Sequence, residues 1–240
     1  MIKDVLVIEN ALEAKTAQSV AYSITHSKLD LFDRYDNPFE QKWTMRKDTN
    51  IALIHHDYIY DMLMAPNSIW WIQRLLDVEI SHADWTHYGG IFVYDQGDYL
   101  KPHLDAGMHP VSKLTKVATA CLYLTPATLE FWHGEPSNYS KPQVYYRHTV
   151  HDVEAGTLIL FTNTLYAWHS VPVVESEQSR VVITCSYLAP SNFSHPQFNN
   201  NRTRAYFGRM NDEPHDPVLE ILREQRASEE GYKNAYRTNT

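Results

Sequence analysis

The chain has two cysteines, Cys121 and Cys185, too few for a disulfide framework. Both fall in stretches that read as core strands, where an unpaired cysteine behaves as a small hydrophobe. A reducing, cytoplasmic setting is the simplest expectation. No run of about 18 apolar residues occurs, so no membrane-spanning helix is expected. Residues 1–10 carry neither the apolar segment nor the small-residue cleavage site of a secretory signal. Positive charge is scarce as well. With 21 Lys and Arg against 29 Asp and Glu, the net charge is −8. This argues against a broad phosphate-binding surface, and so against nucleic acid as a partner. Arg202, Arg204 and Arg209 cluster, but read as a solvated or salt-bridged face. Internal repeats and low-complexity tracts are also missing.

At 240 residues the chain can bury one well-formed core. Three regions are expected. Residues 1–88 form an N-terminal support of strand and helix, 89–190 a β-rich core, and 191–240 an extension with one helix, all within one structural domain. Residues 3–8 read as an edge strand. Asn10 and Glu13 resemble a capping box, followed by a helical face of Leu12, Ala17, Val20, Ala21 and Ile24. Residues 30–50 show no period and read as a loop or lid. A second helix starts at Asn67 or Ser68 and carries Ile69, Trp70, Ile72, Leu75 and Leu76, with its aromatics expected in the core. From 89 to 190 the period changes to about eight short strands, at 90–95, 99–105, 117–124, 128–133, 144–151, 157–162, 167–174 and 180–188. These predict a double-layered jelly roll, or double-stranded β-helix of cupin-like form, with the N-terminal helices packed on one sheet. The class is α+β and mainly β. Residues 134–143 have turn chemistry and read as a substrate-facing loop. Asp216 and Pro217 start a C-terminal helix bearing Val218, Leu219, Ile221 and Leu222 and ending near Gly231.

The chemistry lies in His103-Leu104-Asp105, His169 and Arg180. Residues two apart on a strand project from one face, so His103 and Asp105 can share a cavity. His169 follows on a later strand that only folding could bring near. Two imidazoles and one carboxylate are the facial set of a non-haem Fe(II) site, with open positions for a 2-oxo acid and O2. By alternation Arg180, Val182, Thr184 and Ser186 share a face, and the small Ser186 implies room beside a bound cosubstrate. Arg180 supplies a planar, permanent cation for the far carboxylate of a keto-diacid. An isolated H-x-D is a weak motif; the strand-borne His169 and Arg180 are what raise it. The remaining histidines, among them His55, His56, His82, His195 and His215, read as surface or hydrogen-bonded residues, and His109 as unneeded for the set.

Four segments extend this. They are Tyr94–Asp105 with Gly97 between tyrosine and H-x-D, Ala118–Thr125 with Tyr123, the glycine-led Glu154–Phe161, and His169 followed eleven positions later by Arg180. Over about residues 88–190 the chain resembles the Fe(II)/2-oxoglutarate dioxygenases of the prolyl 4-hydroxylase type. The resemblance implies His103, Asp105 and His169 as catalytic iron ligands. It implies Arg180 as the grip on 2-oxoglutarate, helped by the Tyr123 hydroxyl, with Tyr94 lying against the cosubstrate. Fe(II), 2-oxoglutarate and O2 are the implied cofactors, with ascorbate as an optional reductant. The implied reaction hydroxylates an unactivated C–H of a peptidyl proline or a small metabolite, releasing succinate and CO2. Departures touch the substrate side. Residues 127–132 lack a Gly-Gly pair that many relatives have. Collagen-type enzymes use Lys where Arg180 stands, and Ser186 replaces a bulky aromatic of several relatives. Peptide and small-molecule substrates stay open, as does a homodimer. The alternative is a metal-binding, cupin-like isomerase or small-molecule binding protein without oxygenase activity.

Overall fold

The computed structural model describes residues 4–45, 57–85, 89–198 and 201–228. The N-terminal region holds β1 (Val5–Ile8), α1 (Ala14–His26), α2 (Lys28–Leu31), β2 (Phe32–Asn37), β3 (Glu40–Met45), α3 (Asp57–Met64), α4 (Pro66–Leu76) and β4 (His82–Asp84). The core strands are β5 (Gly90–Tyr94), β6 (Tyr99–Leu104), β7 (Lys116–Tyr123), β8 (Ala127–Gly134), β9 (Gln143–Val153), β10 (Leu158–Thr162), β11 (Trp168–Val171) and β12 (Arg180–Leu188). After them come β13 (Tyr206–Phe207), β14 (Arg209–Met210) and α5 (Pro217–Ala227). Each of the eight strands expected between 89 and 190 has its counterpart.

The strands pair in the order β1-β10-β7-β12-β5-β3-β6-β11-β8-β9-β14. The sheet curls so that β12, β5 and β7 face β6, β11 and β8 across a cavity lined by side chains of all six. This is the jelly roll. Strand alternation gives it two apolar layers. Along β12, Val181, Ile183, Cys185 and Tyr187 join Ala17, Val20, Ile24, Leu63, Ile72 and Leu76 in the outer core under the helices. On the inner face Val182 packs with Tyr94, Tyr123, Ile159, Phe161 and Phe131. Because both faces of β7, β10 and β12 are buried, they read as near-continuous apolar runs.

Several expectations are corrected. Helix α1 starts three residues later than a cap at Asn10 would place it, with Glu13 as N-cap. Asn10 takes a left-handed turn at φ 53, because the Leu12 amide is tied to the Gly156 carbonyl at 3.0 Å. Residues 32–45 are not a loop but the hairpin β2–β3. Its period was hidden because Glu40, Lys42 and Thr44, on the inward face, are polar and line the cavity; residues 46–50 lie outside the described ones. Trp70 is not core but 48% exposed, as Ile72 and Leu76 take the inward face of α4. In α5, Asp216 caps as expected, accepting from the amides of Val218 and Leu219. Its buried residues, however, are Arg223 and Arg226, whereas Val218 and Ile221 are exposed; the expected end near Gly231 lies outside the described residues.

Ion pairs explain that reversal. Arg226 donates through Nε and Nη2 to Glu40 Oε1 at 2.8 and 2.6 Å, and Lys42 Nζ lies 2.9 Å from Glu40 Oε2. Arg223 bridges Glu213 and Glu220. Glu40 is 1% exposed. Burial works against its charge, but Arg226 and Lys42 outweigh it and lower its pKa to about 2. Glu40→Ala leaves two buried cations without their carboxylate, and we expect a loss of about 3–5 kcal/mol in urea unfolding. Because the folded pKa is depressed from 4.5 to about 2, the stabilisation is complete above pH 4.5 and disappears as the pH falls to about 2. The stability gap between wild type and Glu40→Gln should close over that window.

Candidate functional site

His103 is the last residue but one of β6 and His169 lies on β11, and the two residues are direct cross-strand partners. Their ring centroids are 4.2 Å apart. Asp105 follows β6 immediately, with Oδ1 at 3.6 Å from His103 Nε2 and 3.9 Å from His169 Nε2. One ligand atom from each lies within 4.8 Å of the others. Each imidazole is oriented from behind. His103 Nδ1 lies 3.1 Å from the Lys101 carbonyl and His169 Nδ1 2.9 Å from that of Ala167. A carbonyl accepts only from N–H, so Nδ1 carries the proton and the Nε2 lone pairs point at the shared space. Burial, then the neighbouring His103, lower the His169 pKa to about 3, so it stays neutral.

Asp105 is held as an anion. Burial opposes its charge, but Lys116 and the imidazoles outweigh this and keep its pKa well below the usual carboxylate range. Asp105 Oδ2 accepts from Lys116 Nζ at 2.6 Å and from Thr119 Oγ1 at 3.1 Å. Oδ2 is thereby fixed, and Oδ1 faces the imidazoles. Two Nε2 atoms and a fixed carboxylate oxygen fit a divalent metal of intermediate softness. Cys121 also lines the cavity, but burial pushes its thiol up to about 12, which removes it from competition as a thiolate.

Arg180 opens β12 in register with Tyr94 and is 5% exposed. Its guanidinium lies 4.6 Å from the Tyr94 ring centre and 5.2 Å from that of Tyr123. Nη2 donates to the Tyr123 hydroxyl at 3.5 Å, while Nε and Nη1 are buried without a hydrogen-bond partner. A buried cation with two orphaned donors is costly, and an incoming carboxylate would relieve it. Burial pushes the Tyr123 hydroxyl up, so it stays protonated and able to donate.

A cavity of about 700 Å³ is lined by His103, Asp105, His169, Tyr94 and Arg180 together, with Tyr123 fully buried behind them. All six residues expected at the site are thus collected. Ser186 is fully buried on the face of Arg180 but opposite Asp84 and Thr119, and does not line the cavity. Residues 134–143 do not line it either. That loop instead accepts hydrogen bonds from Arg202 at the carbonyls of Ser137, Tyr139 and Ser140. His109 stands apart from the triad, its Nδ1 accepting from the Val111 and Ser112 amides. Lys116 was missed. Its signal was a lone lysine heading a strand with no other charge.

Residues 89–187 match the model of the 2OG-Fe(II) oxygenase superfamily. The barrel belongs to that superfamily. No curated protein matches the chain in sequence. Among solved structures, the oxygenase is similar in fold to a prolyl-4-hydroxylase from Pseudomonas putida, at 15% identity over 78% of this chain and 94% of that one, with a TM-score of 0.54. A prolyl hydroxylase from Trichoplax adhaerens, solved with a hypoxia inducible factor oxygen degradation domain peptide, gives 15% identity over 77% and 83%, with a TM-score of 0.53. SnoN, the non-heme alpha ketoglutarate dependent epimerase from nogalamycin biosynthesis, gives 12% over 80% and 85%, with a TM-score of 0.55. These likenesses show the shared fold, and it is the family match that makes residues 89–187 a 2OG-Fe(II) oxygenase domain; none of the described helices is long and apolar enough to cross a membrane.

The oxygenase clamps β11 on both sides of His169. Trp168 is fully buried and donates to the Glu135 carbonyl at 2.8 Å. Ser170 donates to Glu130 at 2.7 Å and accepts from Trp132 Nε1 at 2.8 Å. A Cβ on Gly134 would stand 2.5 Å from Trp168 Nε1 and 2.7 Å from the Gln143 carbonyl. Gly134→Ala should therefore overpack this clamp, costing roughly 1–3 kcal/mol in urea unfolding and weakening Mn(II) binding measured by calorimetry.

Proposed function

We propose that His103, Asp105 and His169 hold the Fe(II), and that Arg180 grips the distal carboxylate of 2-oxoglutarate with the Tyr123 hydroxyl beside it and Tyr94 against the cosubstrate. The enzyme then hydroxylates an unactivated C–H of a peptidyl proline or a small metabolite, with release of succinate and CO2. One observation carries this reading. A buried guanidinium with two partnerless donors opens into the same cavity as a His-Asp-His set. A metal-binding jelly roll without oxygenase activity has no use for such a cation.

Bound iron, with 2-oxoglutarate and O2, supplies the oxidising chemistry. The protein's own residues supply position and charge. The backbone carbonyls of Lys101 and Ala167 aim the imidazoles, and Lys116 with Thr119 holds the carboxylate that faces them. The planar guanidinium of Arg180 would orient the cosubstrate through its distal carboxylate. Leu100, Leu129, Val171 and Val182 form the apolar wall that keeps these charges strong. A cytoplasmic setting is supported by Cys121 and Cys185, both buried free thiols.

Succinate formation with Fe(II) and 2-oxoglutarate tests the ligand set. Asp105→Ala and His169→Ala should each abolish it, and undiminished activity in both would refute the assignment. Arg180→Ala should keep Mn(II) binding yet weaken 2-oxoglutarate by roughly 2–5 kcal/mol, read by calorimetry. Arg180→Lys should recover only part, since a point charge does not replace the planar fork. Unchanged 2-oxoglutarate affinity in Arg180→Ala would move that role to another residue.

A further inference from the structure

Lys116 reaches the site against the alternation of its own strand. Along β7, Ala118, Ala120 and Leu122 belong to the outer apolar core, while Thr119 and Cys121 line the cavity. Alternation continued backwards would point Val117 inward and Lys116 outward. The register against β12 shifts instead: Tyr187 faces Ala118, but Leu188 faces Lys116. Val117 is the extra residue of a bulge and joins Ala118 in the outer core, which turns Lys116 to the inner face. Asn163, 3% exposed, braces the bulge. Its amide donates to the Val117 carbonyl at 2.8 Å, and its Nδ2 donates to the carbonyls of Lys116 at 3.2 Å and Ala106 at 3.0 Å. The Lys116 amide donates to the Gly107 carbonyl at 2.9 Å. The bulge is thereby tied to the segment that follows Asp105.

Burying a lysine is costly, and Lys116 is 3% exposed. Balancing the charge of Asp105 needs a cation nearby, but not one aimed at a particular oxygen. The contacts here are aimed. A carboxylate oxygen has about two lone-pair sites. On Asp105 Oδ2 both are filled, by the Lys116 ammonium and the Thr119 hydroxyl. Oδ1 faces Nε2 of His103 and of His169 with lone pairs to give. The two donors therefore distinguish the two oxygens of one carboxylate, and only Oδ1 is left for the space between the imidazoles.

We propose that Lys116 is a positioning residue that, with Thr119, reserves Oδ2 so that Asp105 gives the metal the single oxygen Oδ1. The proposal rests on His103, Asp105 and His169 being the ligand set. A second oxygen from Asp105 would take the position that a chelating keto acid leaves over for O2. Lys116 keeps that position open by occupying the oxygen that would fill it. The bulge at Val117 and its brace at Asn163 hold the ammonium to this task, in the way that partners behind a ligand orient it.

The test uses the full chain loaded with Mn(II). Calorimetry reads metal affinity, and water-proton relaxation reads metal-bound water. Lys116→Met frees Oδ2 while keeping an unbranched side chain. It should bind Mn(II) at least as tightly as wild type, since an oxygen is gained and a nearby cation lost. With 2-oxoglutarate saturating, wild type should keep a metal-bound water and Lys116→Met should lose it, so that the relaxation enhancement falls by about twofold or more. Lys116→Arg keeps both cation and donor and should restore the enhancement. Thr119→Val, nearly isosteric, should show an intermediate fall, and it carries the test where Lys116→Met does not fold. Unchanged relaxation in folded Lys116→Met, or in Thr119→Val in its place, overturns the proposal, as does loss of Mn(II) binding in folded Lys116→Met. A lysine with a merely structural role would lower stability in urea and leave the hydration of the metal alone. Failure of the ligand-set reading is seen separately, as Mn(II) binding undiminished in Asp105→Ala.

Discussion

The pairing of β6 with β11, which sets His169 opposite His103, is the contact on which the site depends. A slip of one residue would turn His169 out of the cavity and bring Trp168 or Ser170 in. Three features prevent it. Trp168 fills a separate apolar cluster with Leu104, Val144 and Tyr206. Ser170 is hydrogen-bonded to Glu130 on the neighbouring strand. Trp132 and Phe131 sit opposite Trp168 and His169, so aromatic bulk on β8 matches that on β11. The register is thus set by residues that never reach the space between His103, Asp105 and His169.

Charge is the second theme. A barrel interior penalises ions, yet this one holds Asp105 with Lys116, Glu40 with Lys42 and Arg226, and Arg180 over two tyrosine rings. The first two groups are internally balanced. They fasten structure: Lys116 fixes a carboxylate oxygen, and Glu40 draws the C-terminal helix onto the hairpin. Arg180 is different, because the described residues offer it aromatic faces and one hydroxyl but no carboxylate. Its two buried donors without a hydrogen-bond partner, Nε and Nη1, set it apart from those balanced groups.

The two layers of the barrel divide the labour. Outward residues of β12 and β7 pack under α1, α3 and α4 in an apolar core, which lets the inward residues be polar without loss of the fold. The hairpin β2–β3 extends the inner surface, with Asp33, Tyr35, Glu40, Lys42 and Thr44 lining the cavity. The helix α5 adds Arg226 to that lining, bringing residues almost two hundred positions apart in the chain into contact at Glu40.

Much of this was legible in the chain. Alternating and apolar runs marked the eight core strands, because burial on one or both faces writes itself into residue order. H-x-D on one strand, a later His and a strand-opening Arg marked the triad and the cation, because residues two apart share a face. What failed was whatever depended on distant partners. The β2–β3 hairpin hid behind inward Glu40, Lys42 and Thr44, whose burial makes sense only beside Arg226 and the cavity. The burial of Arg223 and Arg226 in α5 went unread for the same reason, and Lys116 was one lysine among many until β7 lay against Asp105. Local periodicity determined the strands and the chemistry they carry; tertiary structure alone decided which buried charges are paired and which guanidinium lacks a carboxylate, since electrostatic partners are chosen by proximity in space and leave no period in sequence.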